Sequence, residues 1–269
     1  KLVINIDVKI LFILFKNLIK NIQSIYQFDN NSVNVQLKFM KDLTLIIPAK
    51  NEKDALPSVL AEIEKLDCKI TVSLKEDDID TVESIKGKRA DLYYQLGKGY
   101  GNSLKEAINN CKTKYFCIFN ADGSFEHNDI QKMYNLIDNN DFVFTSRYLP
   151  NAGSDDDTIV TFIGNQFFSK LGNLLFSLKI NDILYTFLMG RTDSFKKLDI
   201  NSDDFKFCVE LPIKMEIAKM KYTSIPSFEK KRIAGVKKVN AFLDGFLILI
   251  EILKLFLLYK IFKKKVIKQ

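Results

Sequence analysis

The chain has 269 residues, which at about 150 per domain allows one large domain with an appendage or two small ones. With 47% hydrophobic and 27% charged residues, 11 Gly and 5 Pro, the composition excludes collagen-like, low-complexity and wholly disordered classes. The net charge of +7 is a C-terminal property: Lys and Arg crowd residues 230–269, where Asp244 and Glu251 are the only acids, and the rest of the chain is slightly acidic.

Three zones follow along the chain. Residues 1–39 carry an apolar run from Ile10 to Phe15 that is too short to span a bilayer, and they read as an N-terminal extension or an amphipathic helix outside the working domain. The working domain is placed at 40–239. It opens with a short apolar strand over 43–47, closed by Pro48, and a helix over 56–66. Further strands are predicted at 70–74, 90–94, 115–119 and 142–145, and helices at 80–85, 101–110 and 128–137. This alternation predicts an α/β fold with a mostly parallel sheet covered on both faces. Ligands of such sheets bind beyond the carboxyl ends of strands, so the loops after Ile47, Leu74 and Phe119 are where chemistry is expected.

The third zone, 240–269, is apolar and basic. From Phe246 to Lys260 the spacing is helical, interrupted by Glu251 and Lys254, which sit three apart and can pair on one face near Asp244. An in-plane helix at a membrane interface is expected rather than a spanning one, with Lys263, Lys264 and Lys265 toward anionic headgroups; a core-packing or dimerisation helix is the other reading. Nucleic-acid binding is disfavoured, because the charge sits beside an apolar helix with no aromatic-rich binding motif. Four scattered cysteines and a single histidine support neither a disulfide framework nor a zinc site, which fits a reducing compartment. No signal-peptide pattern is evident, so the cytoplasmic face of a membrane is the expected location.

Six segments carry the chemistry. Strand 115–119 runs into Asn120-Ala121-Asp122-Gly123-Ser124, where Asp122, with Asn120 or Ser124, is a candidate for Mg²⁺ or Mn²⁺ if diphosphate oxygens complete the shell; an ordinary Asp-Gly turn has the same sequence. After the first strand comes Pro48-Ala49-Lys50-Asn51-Glu52, which has no glycine and so is neither a P-loop nor a dinucleotide fingerprint, leaving side-chain recognition of a base or ribose or a plain helix start. The cluster Glu76-Asp77-Asp78 follows the second strand, and Gly97-Lys98-Gly99 opens a loop able to wrap phosphate or sugar or simply to turn tightly. Arg147 follows a strand, and Arg232, Lys237 and Lys238 surround a glycine; these cations suit a diphosphate or a phosphorylated acceptor, or a solvated face.

In this order the segments resemble a family 2 glycosyltransferase of the GT-A fold, in the style of dolichyl- or polyprenyl-phosphate sugar synthases, over residues 43–245. Ile47-Pro48-Ala49-Lys50-Asn51-Glu52 is similar to the family's opening Val-Pro-x-Tyr-Asn-Glu, and Asn120-Ala121-Asp122 to its Asp-Ala-Asp metal motif, with Asn120 removing one charge. Thr145-Ser146-Arg147-Tyr148 is similar to Gly-Ser-Arg-Tyr, and Arg232 to Lys238 to the Arg-x-x-Gly-x-Ser-Lys loop. The acceptor segment Asp-Pro-x-Ser-Gly-Phe is reduced to Asp182-Ile183-Leu184-Tyr185-Thr186-Phe187.

The resemblance implies an inverting transfer from a GDP- or UDP-sugar. Pro48, Asn51, Glu52, Glu76, Asp77, Gly97, Lys98, Gly99, Asn120 and Ala121 would surround the donor, and Asp122 would bring Mg²⁺ or Mn²⁺ to the diphosphate. A polyprenyl phosphate acceptor would be held by Arg147, Arg232, Lys237 and Lys238. A saccharide hydroxyl acceptor, as in cell-surface glycan synthesis, would need a base, for which Asp182 and Glu210 are the candidates. The non-enzymatic alternative is a membrane-associated scaffold whose metal site is weakened by Asn120. A sugar-phosphate nucleotidyltransferase is disfavoured by the glycine-free first loop.

Overall fold

The computed structural model describes residues 40–235 and 241–267, so the expected N-terminal extension and the cations Lys237 and Lys238 lie outside the described residues. The strands are β1 (Leu43–Pro48), β2 (Lys69–Leu74), β3 (Asp91–Tyr94), β4 (Tyr115–Ile118), β5 (Phe142–Ser146), β6 (Gly153–Ser154), β7 (Leu188–Arg191), β8 (Tyr222–Pro226) and β9 (Phe228–Glu229). The helices are α1 (Leu56–Ile63), α2 (Ile79–Ser84), α3 (Tyr100–Asn110), α4 (Asn128–Leu136), α5 (Ile159–Phe176), α6 (Thr192–Lys197), α7 (Phe207–Ile217) and α8 (Ala241–Leu255). The main sheet has the order β3-β2-β1-β4-β7-β5-β8. All pairs are parallel except those of β7, which runs antiparallel to both β4 and β5. The short strands β6 and β9 pair separately. The expected fold class is the observed one.

Period-two alternation divides the core. Leu45, Ile47, Tyr115, Cys117 and Val143 pack on one face with α1 and α4, while Ile46, Phe116, Ile118, Phe142 and Phe144 pack on the other with α3, α6 and α7. Both faces of β1 and β4 are therefore buried, which is why their sequences are continuous apolar runs. All four cysteines are buried and reduced, and burial pushes the Cys68 thiol up to about 12.

At Gly190 in β7 a Cβ would stand 2.7 Å from the Phe116 ring and 2.8 Å from Phe142. Gly190→Ala therefore overpacks the sheet centre, and urea unfolding should show a loss of about 1–3 kcal/mol; an unchanged midpoint would mean the rings move aside freely.

The boundary expected near residue 240 does not separate a domain. Ile248, Ile252 and Leu255 of α8, with Tyr259 and Val266 beyond it, belong to the second core, and the C-terminal segment lies in the same compact unit as the sheet. Glu251 and Lys254 do pair, at 3.0 Å, with the Glu251 carboxylate buried. Among the described residues no helix is long and apolar enough to cross a membrane.

Candidate active site

The loops after β1, β2 and β4 meet at one edge of the sheet, as parallel topology requires. Asn51 adopts a left-handed φ of 53°, which asparagine tolerates, and this turns its N–H onto Asp78 Oδ2 at 2.7 Å. The next N–H, of Glu52, donates to Thr81 Oγ1 at 3.0 Å. Thus Asp78 is the acid that joins the first loop to the second, whereas Glu76 and Asp77 are exposed. Of the acidic cluster, Asp78 is the member whose carboxylate accepts the Asn51 N–H of the first loop.

At the end of β4, Asp122 Oδ1 accepts the Ser124 N–H at 3.0 Å, and Gly123 turns the chain with φ of 79°. Asn120 Nδ2 donates to Ser124 Oγ at 3.1 Å, and Ser124 is buried beneath the turn. Asn120 and Ser124 are thus joined through Asn120 Nδ2, a bond that leaves Asn120 Oδ1 outside it, and the Asp122 side chain is 15% exposed where the loops meet, at the mouth of the site. Among the described residues no three His, Cys, Asp or Glu side chains are grouped to hold a metal by themselves. One hard carboxylate nonetheless fits Mg²⁺ or Mn²⁺ when phosphate oxygens and water supply the remaining ligands.

Loop 230–235 seats on this turn. Lys230 N donates to Ser124 O and Ile233 N to Asp122 O, each at 2.8 Å. A Cβ on Gly123 would lie 2.5 Å from Ile233 Cδ1, so the glycine permits the close approach as well as the φ. The loop places Arg232 Nη1 3.6 Å from Asp122 Oδ2 and Nη2 2.9 Å from Asp156 Oδ2. Asp156 chiefly holds the Arg232 pKa above its ordinary value against the opposing effect of burial, and Asp122 adds to it. Further along, Gly235 reaches to within 3.6 Å, measured from a built Cβ, of Glu52 Oε2. The root of the loop is fixed by Lys230, which bridges Glu62 and Glu126 at 3.1 Å each, with the lone His127 at 2.5 Å from Glu62.

Other expected site residues are committed elsewhere. The Arg147 guanidinium donates to Asp182 through Nε (2.7 Å) and Nη2 (2.8 Å) and to Glu229 through Nη1 (3.0 Å), and lies 4.5 Å from the Tyr185 ring centroid. The Asp182 side chain is fully buried. Arg147 and Asp182 are thus engaged with one another in this structure, and each neutralises the other. Glu210 is also removed from the base role, since it is buried against Lys214 at 2.6 Å and accepts the N–H groups of Asn201 and Ser202. In the glycine loop, Leu96 N and Gly97 N donate to Glu106. A Cβ at Gly99 would stand 2.2 Å from Asp203 O and one at Gly101 2.6 Å from Ser202 O. Gly99 and Gly101 answer to the packing of segment 202–204, and Lys98 is exposed.

The reading of the sequence missed Asp156, Glu229 and Tyr100. The Tyr100 hydroxyl bonds Thr186 Oγ1 at 2.7 Å; burial, then Cys208 and Asp122, raise its pKa far above the ordinary tyrosine value. The Gly-Tyr-Gly spacing was the available signal for it.

Glu210 also sets an acid dependence. Burial opposes its ionisation, but Lys214 and the two backbone donors outweigh it and lower its pKa. A depressed folded-state pKa gives stability that is present above the unfolded value and lost as pH falls through the folded one. Urea midpoints should therefore drop as pH falls below about 4.5, with a shallower slope in Glu210→Gln. Equal slopes would show the carboxylate to be uncoupled from folding.

Residues 44–199 match the model of the family described as Glycosyl transferase family 2. Over 112 residues, 41% of this chain, the sequence is 30% identical to uncharacterized glycosyltransferases of Mycobacterium bovis and Mycobacterium tuberculosis, and it spans about half (50%) of their length. The fold is similar to mannosyl-3-phosphoglycerate synthase from Rubrobacter xylanophilus, with a TM-score of 0.61 at 12% identity over 81% of this chain and 74% of that one. Glucosyl-3-phosphoglycerate synthase from Mycobacterium tuberculosis in complex with UDP gives 0.62 at 12% identity, over 82% of each chain. The same enzyme has been crystallised with Mn²⁺, UDP and glucosyl-3-phosphoglycerate, a structure that gives 0.56 at 11% identity over 81% of each chain.

Proposed function

This chain belongs to glycosyltransferase family 2, and from that premise we propose that it transfers a sugar with inversion from a nucleotide-activated donor to a polyprenyl phosphate. The observation that carries the donor half is the convergence of Asp122, Arg232 and Glu52 where loop 230–235 crosses the ends of β1 and β4. Pro48, Asn51, Glu52 and Asp78 border the nucleoside side of this mouth, and the diphosphate lies toward Asp122 and Arg232. A divalent cation held at Asp122 would supply charge stabilisation to the leaving nucleoside diphosphate. Arg232 sits beside the same carboxylate and adds a fixed positive group there, which acts without reorganisation as negative charge develops. An acceptor phosphate oxygen bonds the anomeric carbon as the bond to the diphosphate oxygen breaks, and the departing nucleoside diphosphate keeps that electron pair.

The acceptor reading is supported by what the carboxylates do. Asp182 and Glu210 are both buried in ion pairs, so neither is free to deprotonate a hydroxyl. A phosphate is already ionised at neutral pH and needs no base. With Arg147 committed, Arg232 is the described cation of the expected acceptor set at the mouth. We also propose the cytoplasmic face of a membrane as the site of reaction, since a nucleotide-sugar donor and a lipid-phosphate acceptor would meet there.

The test is nucleoside diphosphate release from a panel of GDP- and UDP-sugars with Mg²⁺ or Mn²⁺, comparing undecaprenyl and dolichyl phosphate with saccharide acceptors and with none. Release that requires the lipid phosphate is the expected result. Release that requires a saccharide hydroxyl would overturn the acceptor, and no turnover with any donor would overturn the transferase reading in favour of a scaffold.

A further inference from the structure

Helix α5 is apolar on two sides. Its inner side buries Phe168 and Phe176 in the second core. On its outer side Ile159, Ile163, Phe167 and Leu174 recur and are 78%, 61%, 51% and 80% exposed. Two polar residues share the inner side: Ser169 Oγ accepts the Ile183 N–H at 3.0 Å, and Asn165 Nδ2 donates to the Tyr148 hydroxyl at 2.9 Å. A surface helix of a water-soluble domain ordinarily keeps its outer side polar. On α8, Phe246, Ile250 and Leu253, with Leu257 in the helical segment Phe256–Ile261 that follows it, repeat the pattern at helical spacing, outside the buried Ile248, Ile252 and Leu255. The helices run side by side in the same direction. A Cβ on Gly245 would lie 3.8 Å from Phe168, and the Phe176 and Phe256 rings meet edge to face at 6.1 Å.

We infer that the outer faces of α5 and α8 together form a docking surface for an anionic lipid bilayer, which sets the mouth at Asp122 among the headgroups. Exposed apolar side chains that recur along two neighbouring helices mark an interaction surface rather than singly scattered residues. The charge around it selects the occupant. Lys170, Lys254, Lys260, Lys263, Lys264 and Lys265 are exposed at its border, while Glu251 is buried and paired with Lys254. Lysines snorkel to phosphate headgroups as apolar neighbours enter the acyl boundary. A second copy of this chain on the same face would set these lysines against their own equivalents.

Position adds the consequence for function. Ile159 follows closely on Asp156, whose carboxylate meets Arg232 beside Asp122. The apolar surface therefore starts at the mouth itself. An acceptor with its lipid chain in the bilayer reaches Asp122 without leaving the headgroup layer. This last step rests on the transferase reading; the surface does not.

The test is co-sedimentation of the full chain with vesicles of phosphatidylcholine alone and of phosphatidylcholine mixed with phosphatidylglycerol. Wild type should bind the mixed vesicles. Ile163→Glu combined with Phe167→Glu should weaken that binding roughly tenfold or more, and Leu253→Glu on the other helix should weaken it independently. Leu96→Gln, an exposed leucine outside this surface, should bind as wild type does. Unchanged melting temperatures establish that the variants are folded, as their exposure leads one to expect. Binding retained by both charged variants, or no binding by wild type, overturns the proposal. So does a wild-type dimer that the double variant dissociates while neither form binds vesicles. Nucleotide-sugar turnover is scored separately. Vesicle binding without turnover drops the transferase reading and keeps the surface, and turnover without vesicle binding does the opposite.

Discussion

Asp122→Ala will lower nucleoside diphosphate release by roughly 10³-fold or more while leaving the melting temperature near that of wild type. The two halves of this expectation come from different atoms of one residue. Its main-chain carbonyl accepts the Ile233 N–H and holds loop 230–235 down, and alanine keeps that carbonyl. Its side chain gives one oxygen to the Ser124 N–H and the other to the Arg232 side of the mouth. Alanine removes the sole carboxylate of the Asn-Ala-Asp motif, and neither Asn120 nor Ser124 can replace it, because an amide and a hydroxyl carry no negative charge. Asp122→Asn separates charge from shape. It keeps an acceptor for Ser124 and should be nearly as inactive. Turnover within tenfold of wild type in both variants would move the cation to another carboxylate, of which Asp156, on the far side of Arg232, is the nearest by contact. Direct titration of Mn²⁺ in the presence of nucleoside diphosphate checks the same point without turnover: wild type should bind both together, and Asp122→Ala neither tightly.

The first half of the fold was legible because each of its elements carries its period in its own sequence. Buried parallel strands read as unbroken apolar runs, and α1, α3 and α4 show apolar residues at helical spacing. Beyond β5 that logic fails for physical reasons. Helix α5 is apolar on its outer side and packs Asn165 and Ser169 inward, so no polar face marks it. Helix α7 is buried nearly all round and contains Pro212, a residue that usually ends a helix. Strand β7 is four residues long and includes Gly190. The site divides in the same way. Asp122, Arg232 and the acidic cluster holding Asp78 stand in local motifs and could be named, whereas Asp156 and Glu229 acquire their contacts from partners brought close by the sheet. Arg147, Asp182 and Glu210 look like chemistry in sequence, a strand-end arginine and two acids, and only the folded geometry shows them bound to counter-charges.

That internal neutralisation sets the second large effect. Asp182→Ala leaves the Arg147 guanidinium, 9% exposed, facing Glu229 alone. Burial by itself would lower the Arg147 pKa, yet Asp182 and Glu229 hold it well above the ordinary value, so the cation persists and must stay solvated by something. Removing one partner of such a pair costs about 3–5 kcal/mol, which for a domain of this size is roughly a 10 °C fall in Tm. Lys53→Ala, which breaks an exposed pair with Asp80, should leave Tm unchanged. The damage should also reach the mouth. Glu229 ties Arg147 to Ser154 and lies in β9, which pairs with β6 and leads directly into the loop bearing Arg232. With Arg147 no longer fixed by Asp182, the Glu229 anchor of that ribbon loosens, and Asp182→Ala should raise KM for the donor more than it lowers kcat. Arg147→Lys is not a rescue, since an ammonium cannot reproduce the fork that engages Asp182 and Glu229 together. A fall in kcat with unchanged Tm would instead return Asp182 to the role of base.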